Sequence, residues 1–108
     1  MNQWICFDFK DHRVVPKKYS IRSCDAPQND FHPRNWVIEG SNDNNNWVAL
    51  DQQSNCLYLN GPSYVHTFDI CNPKNDEYRF LRMRSTGCDW KNLLYLCFNC
   101  IEFHGEFH

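Results

Sequence analysis

The stretch Trp36–Leu50, WVIEGSNDNNNWVAL, indicates the fold of this chain more directly than any other segment. Two apolar runs flank the polar tract Asn42–Asn46. Asparagine and aspartate tolerate the left-handed backbone of tight turns and hydrogen-bond their own main chain. The pattern therefore predicts a β-hairpin with strands Trp36–Ser41 and Trp47–Leu50.

Similar short runs of apolar, aromatic and β-branched residues occur on both sides of this hairpin. No stretch of 11 residues keeps the i, i+3, i+4, i+7 spacing of an amphipathic helix, so we expect few helices. Many short strands at a spacing of roughly ten residues are typical of an all-β sandwich or barrel. The further predicted strands are Trp4–Phe9, Arg13–Val15, Tyr19–Ser23, Val65–Ile70, Tyr78–Arg84 and Tyr95–His104.

Size and charge narrow the class of protein. The chain has 108 residues and a mass of 13.0 kDa, which predicts a single domain over residues 1–108. The net charge is −2 and no basic stretch stands out, so a nucleic acid is not an expected partner. No apolar run reaches the roughly 18 residues of a membrane span. The first residues lack the charged and apolar regions of a signal peptide, so we expect a cytoplasmic location.

The seven cysteines first suggest disulfides or a metal centre. An odd number without a secretory signal favours free thiols. The pair Cys97-x-x-Cys100 has no second pair to complete a zinc site. Residues three apart on a strand also point to opposite faces, so these two thiols would not share an ion. We predict no metal and no cofactor.

Catalytic motifs are equally sparse. The four glycines make no phosphate-binding loop, and none of the five histidines falls in a recognisable catalytic pattern. A cysteine–histidine nucleophile pair stays open, because such residues meet in space rather than in sequence. We therefore expect a non-catalytic protein. Trp4, Trp36 and Trp47 are expected to fill the core, whereas Trp90 lies in a polar loop, where it could contact a ligand or fold back over the core edge.

The order of these features resembles a known family. The run Trp36–Asp43, followed by Trp47 and Leu50, is similar to the central hairpin of discoidin domains, also called coagulation factor 5/8 type C domains. Four further segments match other strands of these domains: Trp4–Phe9, Tyr19–Ser23, Tyr78–Met83 and Ile101–Gly105. The resemblance therefore covers essentially the whole chain. The resemblance implies a jelly-roll β-sandwich of the galactose-binding type, with ligands bound by loops at one end.

Two departures from the family accompany the resemblance. Complete members begin with a further segment that holds a strand and a ligand-end loop, and here Trp4 follows Met1 almost directly. An exposed strand edge left by that missing strand would favour an edge-strand dimer. Secreted members also join their first and last residues by a disulfide, for which neither terminus here has a suitable cysteine. That second departure agrees with an intracellular protein.

The resemblance implies three classes of ligand: proteins, sugars and phospholipid surfaces. The preferred hypothesis is a protein-recognition module within an intracellular adaptor-type protein, and the alternative is a lectin-type carbohydrate-binding module. Phospholipid ranks below both, because the ligand-end loops are mostly polar. By strand alternation, the segments Cys24–Arg34, Asp51–Asn60 and Ser85–Asn92 share the ligand end. The candidate ligand-binding residues on them are His32, Arg34, Asn55, Asp89, Trp90 and Asn92.

Some of these candidates also have structural interpretations. His32 precedes Pro33 and could instead cap the turn. Arg34 could lie along the sandwich surface, where an ion pair would contribute roughly 0–1 kcal/mol. Both interpretations stay open at the level of sequence.

Overall fold

A computed structural model describes residues 3–93 and 96–108 of the chain. Within those residues the ordered elements are strands, and every strand pairing is antiparallel. One sheet has the order β1-β6-β3-β4 and the other β5-β2-β7, so the predicted all-β sandwich is confirmed. The strands are β1 (Trp4–Asp8), β2 (Val14–Arg22), β3 (Trp36–Ser41), β4 (Val48–Gln53), β5 (Val65–Asp69), β6 (Phe80–Ser85) and β7 (Cys100–Phe107).

The predicted hairpin is present as β3 and β4, although β4 extends three residues past its predicted end at Leu50. The separate strands predicted at Arg13–Val15 and Tyr19–Ser23 are one strand, β2, which runs through Pro16. Proline lacks a backbone N–H and is tolerated at edges and bulges. β5 pairs with residues 18–22 of β2, so it does not reach Pro16. The register between β2 and β7 shifts between Pro16 and Lys18. Pro16 therefore lies at a bulge and has β7 as its one neighbouring strand.

The last strand differs most from its prediction. We predicted Tyr95–His104, whereas β7 begins at Cys100 and ends at Phe107. Tyr95 lies outside the described residues. The aromatic and apolar segment before β7 misled the prediction, because Leu96 and Phe98 pack against the core without pairing as a strand.

The core lies between the two sheets and is rich in aromatic side chains. Trp36 is fully buried there, as predicted, and its ring contacts Phe68 of the opposite sheet edge-on at a centroid distance of 5.5 Å. Trp4 is 59% exposed, so its predicted core position is wrong. In β1, Ile5 and Phe7 lie on the face opposite to Trp4, because side chains alternate along a strand. Trp47 is only partly buried.

The described residues contain no helix that is long and apolar enough to cross a membrane.

Candidate functional site

Three loops meet at the end of the sandwich where β2, β4 and β6 finish. Their described parts are residues 23–35, 54–64, 86–93 and 96–99, and we call this region the loop end. Asn35 joins all three, because its side-chain oxygen accepts a hydrogen bond from Asn55 N at 3.0 Å and its amide donates to Cys88 O at 2.9 Å. The three segments predicted to share one end therefore do so. The importance of Asn35 was missed, since no motif distinguishes it from the other asparagines.

The asparagine-rich turns lie at the opposite end. The Asn42 side chain accepts a hydrogen bond from Arg79 N and donates one to Glu77 O, both at 2.9 Å. Asn72 similarly bridges Pro16 and Asp76. These turns connect strands of the scaffold. The longer, irregular loops lie together at the loop end.

Three of the predicted site residues, Arg34, Asn55 and Trp90, form one contact group, which we call the Arg34 cluster. Arg34 Nε donates to Asn55 Oδ1 at 2.9 Å, and the guanidinium carbon lies 4.4 Å from the centre of the Trp90 ring. Trp90 Nε1 donates to Cys56 O at 3.0 Å, while Cys56 N donates to Arg34 O at 2.9 Å. The loops thus hold the cation, the amide and the indole in a fixed arrangement.

The Arg34 side chain keeps donors available. Within the described residues, Arg34 donates to a protein acceptor through Nε alone. Its two terminal nitrogens therefore remain available to donate hydrogen bonds to a ligand. The guanidinium already covers one face of Trp90, so that face does not stack on a ligand. Trp90 therefore acts in this geometry as the support of Arg34, through a cation–π contact.

A second cation–π pair lies beside the cluster. Lys91 Nζ is 4.4 Å from the centre of the Phe31 ring and 3.3 Å from Asp30 Oδ1. Lys91 follows Trp90 directly in sequence, so both cation–π pairs involve the loop that begins after β6. The sequence did not indicate that Phe31 pairs with Lys91, because this contact depends on how two separate loops pack.

His32 is buried, so it does not face a ligand. Its Nε2 lies 2.8 Å from Ala26 O and 2.9 Å from Pro27 O. Because both neighbours are carbonyl acceptors, Nε2 is the donor in these contacts. His32 thus stabilises the turn before it, which is the structural interpretation left open by the sequence.

Asp89 and Asn92 shape the loop that carries Trp90. Asp89 is buried, and its Oδ1 accepts hydrogen bonds from Lys91 N and Leu93 N, both at 2.9 Å. Its Oδ2 is buried without a hydrogen-bond partner among the described residues. Asn92 is exposed and has a φ of 64°, a left-handed conformation that asparagine adopts readily. Both positions organise the loop backbone around the Arg34 cluster.

No protein-family model matches the chain. Among solved structures, the chain is similar to the crystal structure of a fragment of a protein named "putative chitobiase" from Bacteroides thetaiotaomicron. The TM-score is 0.68 at 15% sequence identity, and the match covers 97% of this chain. The chain spans 61% of the length of that fragment. At this identity the likeness shows the fold alone, which is a β-sandwich domain.

Within residues 3–93 and 96–108, no three histidine, cysteine, aspartate or glutamate side chains are arranged to hold a metal ion. The Arg34 cluster offers a guanidinium and an amide, which recognise ligands by hydrogen bonds.

Proposed function

We propose that this chain is a non-catalytic recognition module with a discoidin-like fold that binds carbohydrate through the Arg34 cluster. The observation that carries the proposal is the held guanidinium of Arg34. Its Nε is fixed by Asn55 and its plane by Trp90, while its terminal nitrogens have no protein acceptor among the described residues. Pre-organised donors of this kind bind sugar hydroxyls at a small cost in side-chain entropy.

The fold supports the same proposal. The chain is a two-sheet sandwich whose irregular loops share one end, which is the arrangement that the resemblance to discoidin domains implies for a ligand-binding module. The solved fragment with the similar fold comes from a protein whose name refers to chitobiose chemistry. Chitobiose is therefore one sugar to test, together with neutral and acidic monosaccharides and oligosaccharides.

The test is a glycan array with the recombinant chain, followed by calorimetric titration of each sugar that binds. We expect Arg34→Ala to weaken binding at least about tenfold, since a hydrogen bond to a charged group contributes roughly 1.5–3 kcal/mol. Arg13→Ala is the matched control, because the Arg13 side chain donates hydrogen bonds to the backbone carbonyls of Lys10 and His12 at the opposite end. Thermal melting checks that both variants fold.

Two results would contradict this proposal. Absence of binding to every sugar at millimolar concentration would remove carbohydrate as the ligand class. An unchanged affinity in folded Arg34→Ala would place the binding site elsewhere.

Protein recognition, within an adaptor-type protein, is the second candidate function, and exposed apolar side chains favour it. Leu57, Tyr58 and Val65 are 69%, 61% and 62% exposed at the loop end and the start of β5. Val65 also lines a groove of about 230 Å³ on the outer face of the three-stranded sheet. Exposed apolar groups near a groove are common in protein-binding surfaces.

The two candidates are separated by a pull-down from a reducing lysate. If protein recognition is the function, wild type and Arg34→Ala should enrich the same protein. The double variant Leu57→Ser/Val65→Ser should not enrich that protein. If no protein is enriched above the level retained by that double variant, protein recognition is excluded.

A further inference from the structure

A cysteine and a histidine form a contact within the β2–β3 loop. Cys24 is the second residue after β2, and a turn over residues 26–32 returns the chain towards it. Within this turn Asp30 N donates to Pro27 O at 3.3 Å, and His32 N donates to Asp30 O at 2.8 Å. The turn places His32 Nδ1 3.8 Å from Cys24 Sγ, which is a hydrogen-bonding distance for sulfur. The cysteine–histidine pair that the sequence left open is therefore formed here.

The other ring nitrogen of His32 fixes the orientation of the imidazole. His32 is fully buried, and its Nε2 donates to the carbonyl oxygens of Ala26 and Pro27. In a neutral imidazole one nitrogen is a donor and the other holds a lone pair. Nδ1 can then accept the thiol proton of Cys24, and it has no other hydrogen-bond partner among the described residues. A histidine held beside a cysteine in this way is the arrangement that activates a nucleophilic thiol.

The surroundings of the other thiols make them weaker nucleophiles. Cys24 is a free thiol and is partly exposed, so a small reagent can reach it. Because the thiolate is the nucleophile, a raised pKa lowers the reactive fraction at neutral pH. Burial raises the pKa of three other thiols, those of Cys6, Cys56 and Cys97. Cys71 and Cys100 are exposed, but within the part of the chain that the structure describes neither forms a hydrogen bond with a histidine.

We propose that Cys24 is a site of reversible modification, where a low-molecular-weight disulfide such as oxidised glutathione forms a mixed disulfide with the thiol. His32 Nδ1 takes the Cys24 proton, and the Cys24 sulfur attacks one sulfur of the small disulfide. The S–S bond of the small disulfide breaks as the new S–S bond forms, and the small thiol that leaves takes the proton from His32. The Cys24 sulfur is oxidised and the released sulfur is reduced. An excess of the reduced small thiol reverses the reaction.

The modification would act on the loop end. An added group on Cys24 would disturb the contact with His32, whose carbonyl oxygen accepts a hydrogen bond from Trp90 N at 3.4 Å. The same loop carries Arg34. This inference concerns the chemistry of Cys24 and stands whether or not the Arg34 cluster binds sugar.

The test incubates the full chain with oxidised glutathione and locates the adducts at successive times by mass spectrometry of a non-reducing tryptic digest. The peptide of residues 23–34 contains Cys24 and no other cysteine, so it reports on this thiol alone. The exposed thiols of Cys71 and Cys100 lie in the peptides of residues 35–74 and 92–108. We expect the adduct on Cys24 to form at least about tenfold faster than theirs, because a positioned base commonly accelerates a reaction by about 10²–10⁴-fold.

The variant His32→Gln separates the base from the structural role of His32. A glutamine amide can still donate to the carbonyl of Ala26 or Pro27, but it has no nitrogen lone pair to accept a proton. We expect the rate at Cys24 to fall at least about tenfold, while thermal melting shows a folded protein. Cys71→Ser is the matched control, since Cys71 follows β5 at the opposite end, and it should leave the rate at Cys24 unchanged.

Wild type in concentrated urea gives the same comparison if His32→Gln fails to fold. Unfolding separates Cys24 from His32, so Cys24 should lose its advantage over the other thiols. Three outcomes would overturn the proposal. They are an adduct that forms first on another peptide, an advantage of Cys24 that persists in folded His32→Gln or in urea, and a disulfide between two protein cysteines in place of the glutathione adduct.

Discussion

Tyr19 of β2 and Trp36 of β3 meet across the core through a hydrogen bond of 2.9 Å from Trp36 Nε1 to the Tyr19 hydroxyl. The same hydroxyl donates to Asp51 Oδ2 of β4 at 2.6 Å. Burial raises the pKa of Tyr19 far above its ordinary value, and the hydrogen bond to Asp51 raises it further, so the phenol stays protonated. One hydroxyl thereby connects the three-stranded sheet to two strands of the other sheet.

Replacing this hydroxyl should destabilise the sandwich. We expect Tyr19→Phe to lower the free energy of unfolding by about 2–3 kcal/mol, because it leaves the buried Trp36 N–H without its acceptor. Urea unfolding followed by tryptophan fluorescence measures the change. Tyr58→Phe, at an exposed tyrosine, is the matched control and should change little. Equal stability of Tyr19→Phe and Tyr58→Phe would show that the bond across the core contributes nothing.

Glu39 should make the stability depend on pH. This carboxylate is only 8% exposed and accepts hydrogen bonds from Arg82 at 2.8 Å and from Arg84 at 3.1 Å. Burial raises the pKa of Glu39, but the hydrogen bonds and charges of Arg84 and Arg82 lower it more, so the net pKa lies below the ordinary 4.5. A lowered folded-state pKa stabilises the protein above the unfolded-state value, and this contribution is lost as the pH falls through the folded-state value.

We therefore expect Glu39→Gln to be less stable than wild type by about 1–3 kcal/mol at pH 7. The difference should shrink as the pH falls below 4.5, where wild-type Glu39 becomes protonated. Urea unfolding across this range measures it, and Glu77→Gln, at an exposed position, should follow wild type. A difference that stays constant with pH would exclude the charge of Glu39 as its cause.

Gly105 should tolerate no side chain. It lies opposite Pro16 at the bulge of β2, and a Cβ there would overlap the carbonyl oxygen of Val15. Because that neighbour is backbone, it cannot rotate away, and we expect Gly105→Ala to cost about 3 kcal/mol. Gly87→Ala is the comparison, since its new methyl would lie 3.2 Å from the Asn35 amide nitrogen, which is a tight contact rather than an overlap with backbone. Thermal melting should show the larger loss for Gly105→Ala, and the reverse order would refute the packing argument.

Asp89 should control the order of the Trp90 loop. In Asp89→Ala the amides of Lys91 and Leu93 lose their acceptor, at an expected cost of about 1–3 kcal/mol. Their hydrogen exchange should accelerate, which NMR measures residue by residue. Asp89→Asn keeps one acceptor oxygen and should preserve most of the protection. Unchanged exchange in Asp89→Ala would mean that the loop is held by other contacts.

The hairpin was predictable because its information is local. The asparagine tract between two apolar runs is sufficient to specify a turn and two strands, and β3 has the predicted bounds Trp36–Ser41. β7 was displaced from its prediction, because strand pairing with β2 defines its ends and pairing is not visible in a single run of residues. The exposure of Trp4 was unpredictable for the same reason, because the pairing register of β1 decides which face of the sheet its side chain lies on.

The candidate site was predictable as a region and only partly as a set of contacts. Arg34, Asn55 and Trp90 do meet, since alternation of strand directions brings their loops to one end. His32 and Asp89 were expected to face a ligand but are buried, because each satisfies polar groups of its own loop. These hydrogen bonds within the loops depend on how the loops pack, and they produce no spacing pattern in the sequence.

The sequence by itself determined the class of structure. Short alternating apolar runs separated by asparagine, glycine and proline turns form antiparallel strands, because turns and strand alternation depend on residues that are close together in the chain. Only the tertiary structure decided which distant residues meet. The contacts of Arg34 with Trp90 and of Tyr19 with Asp51 join segments far apart in the chain. Sheet register and loop packing create those contacts, and both result from burying one shared core between the two sheets.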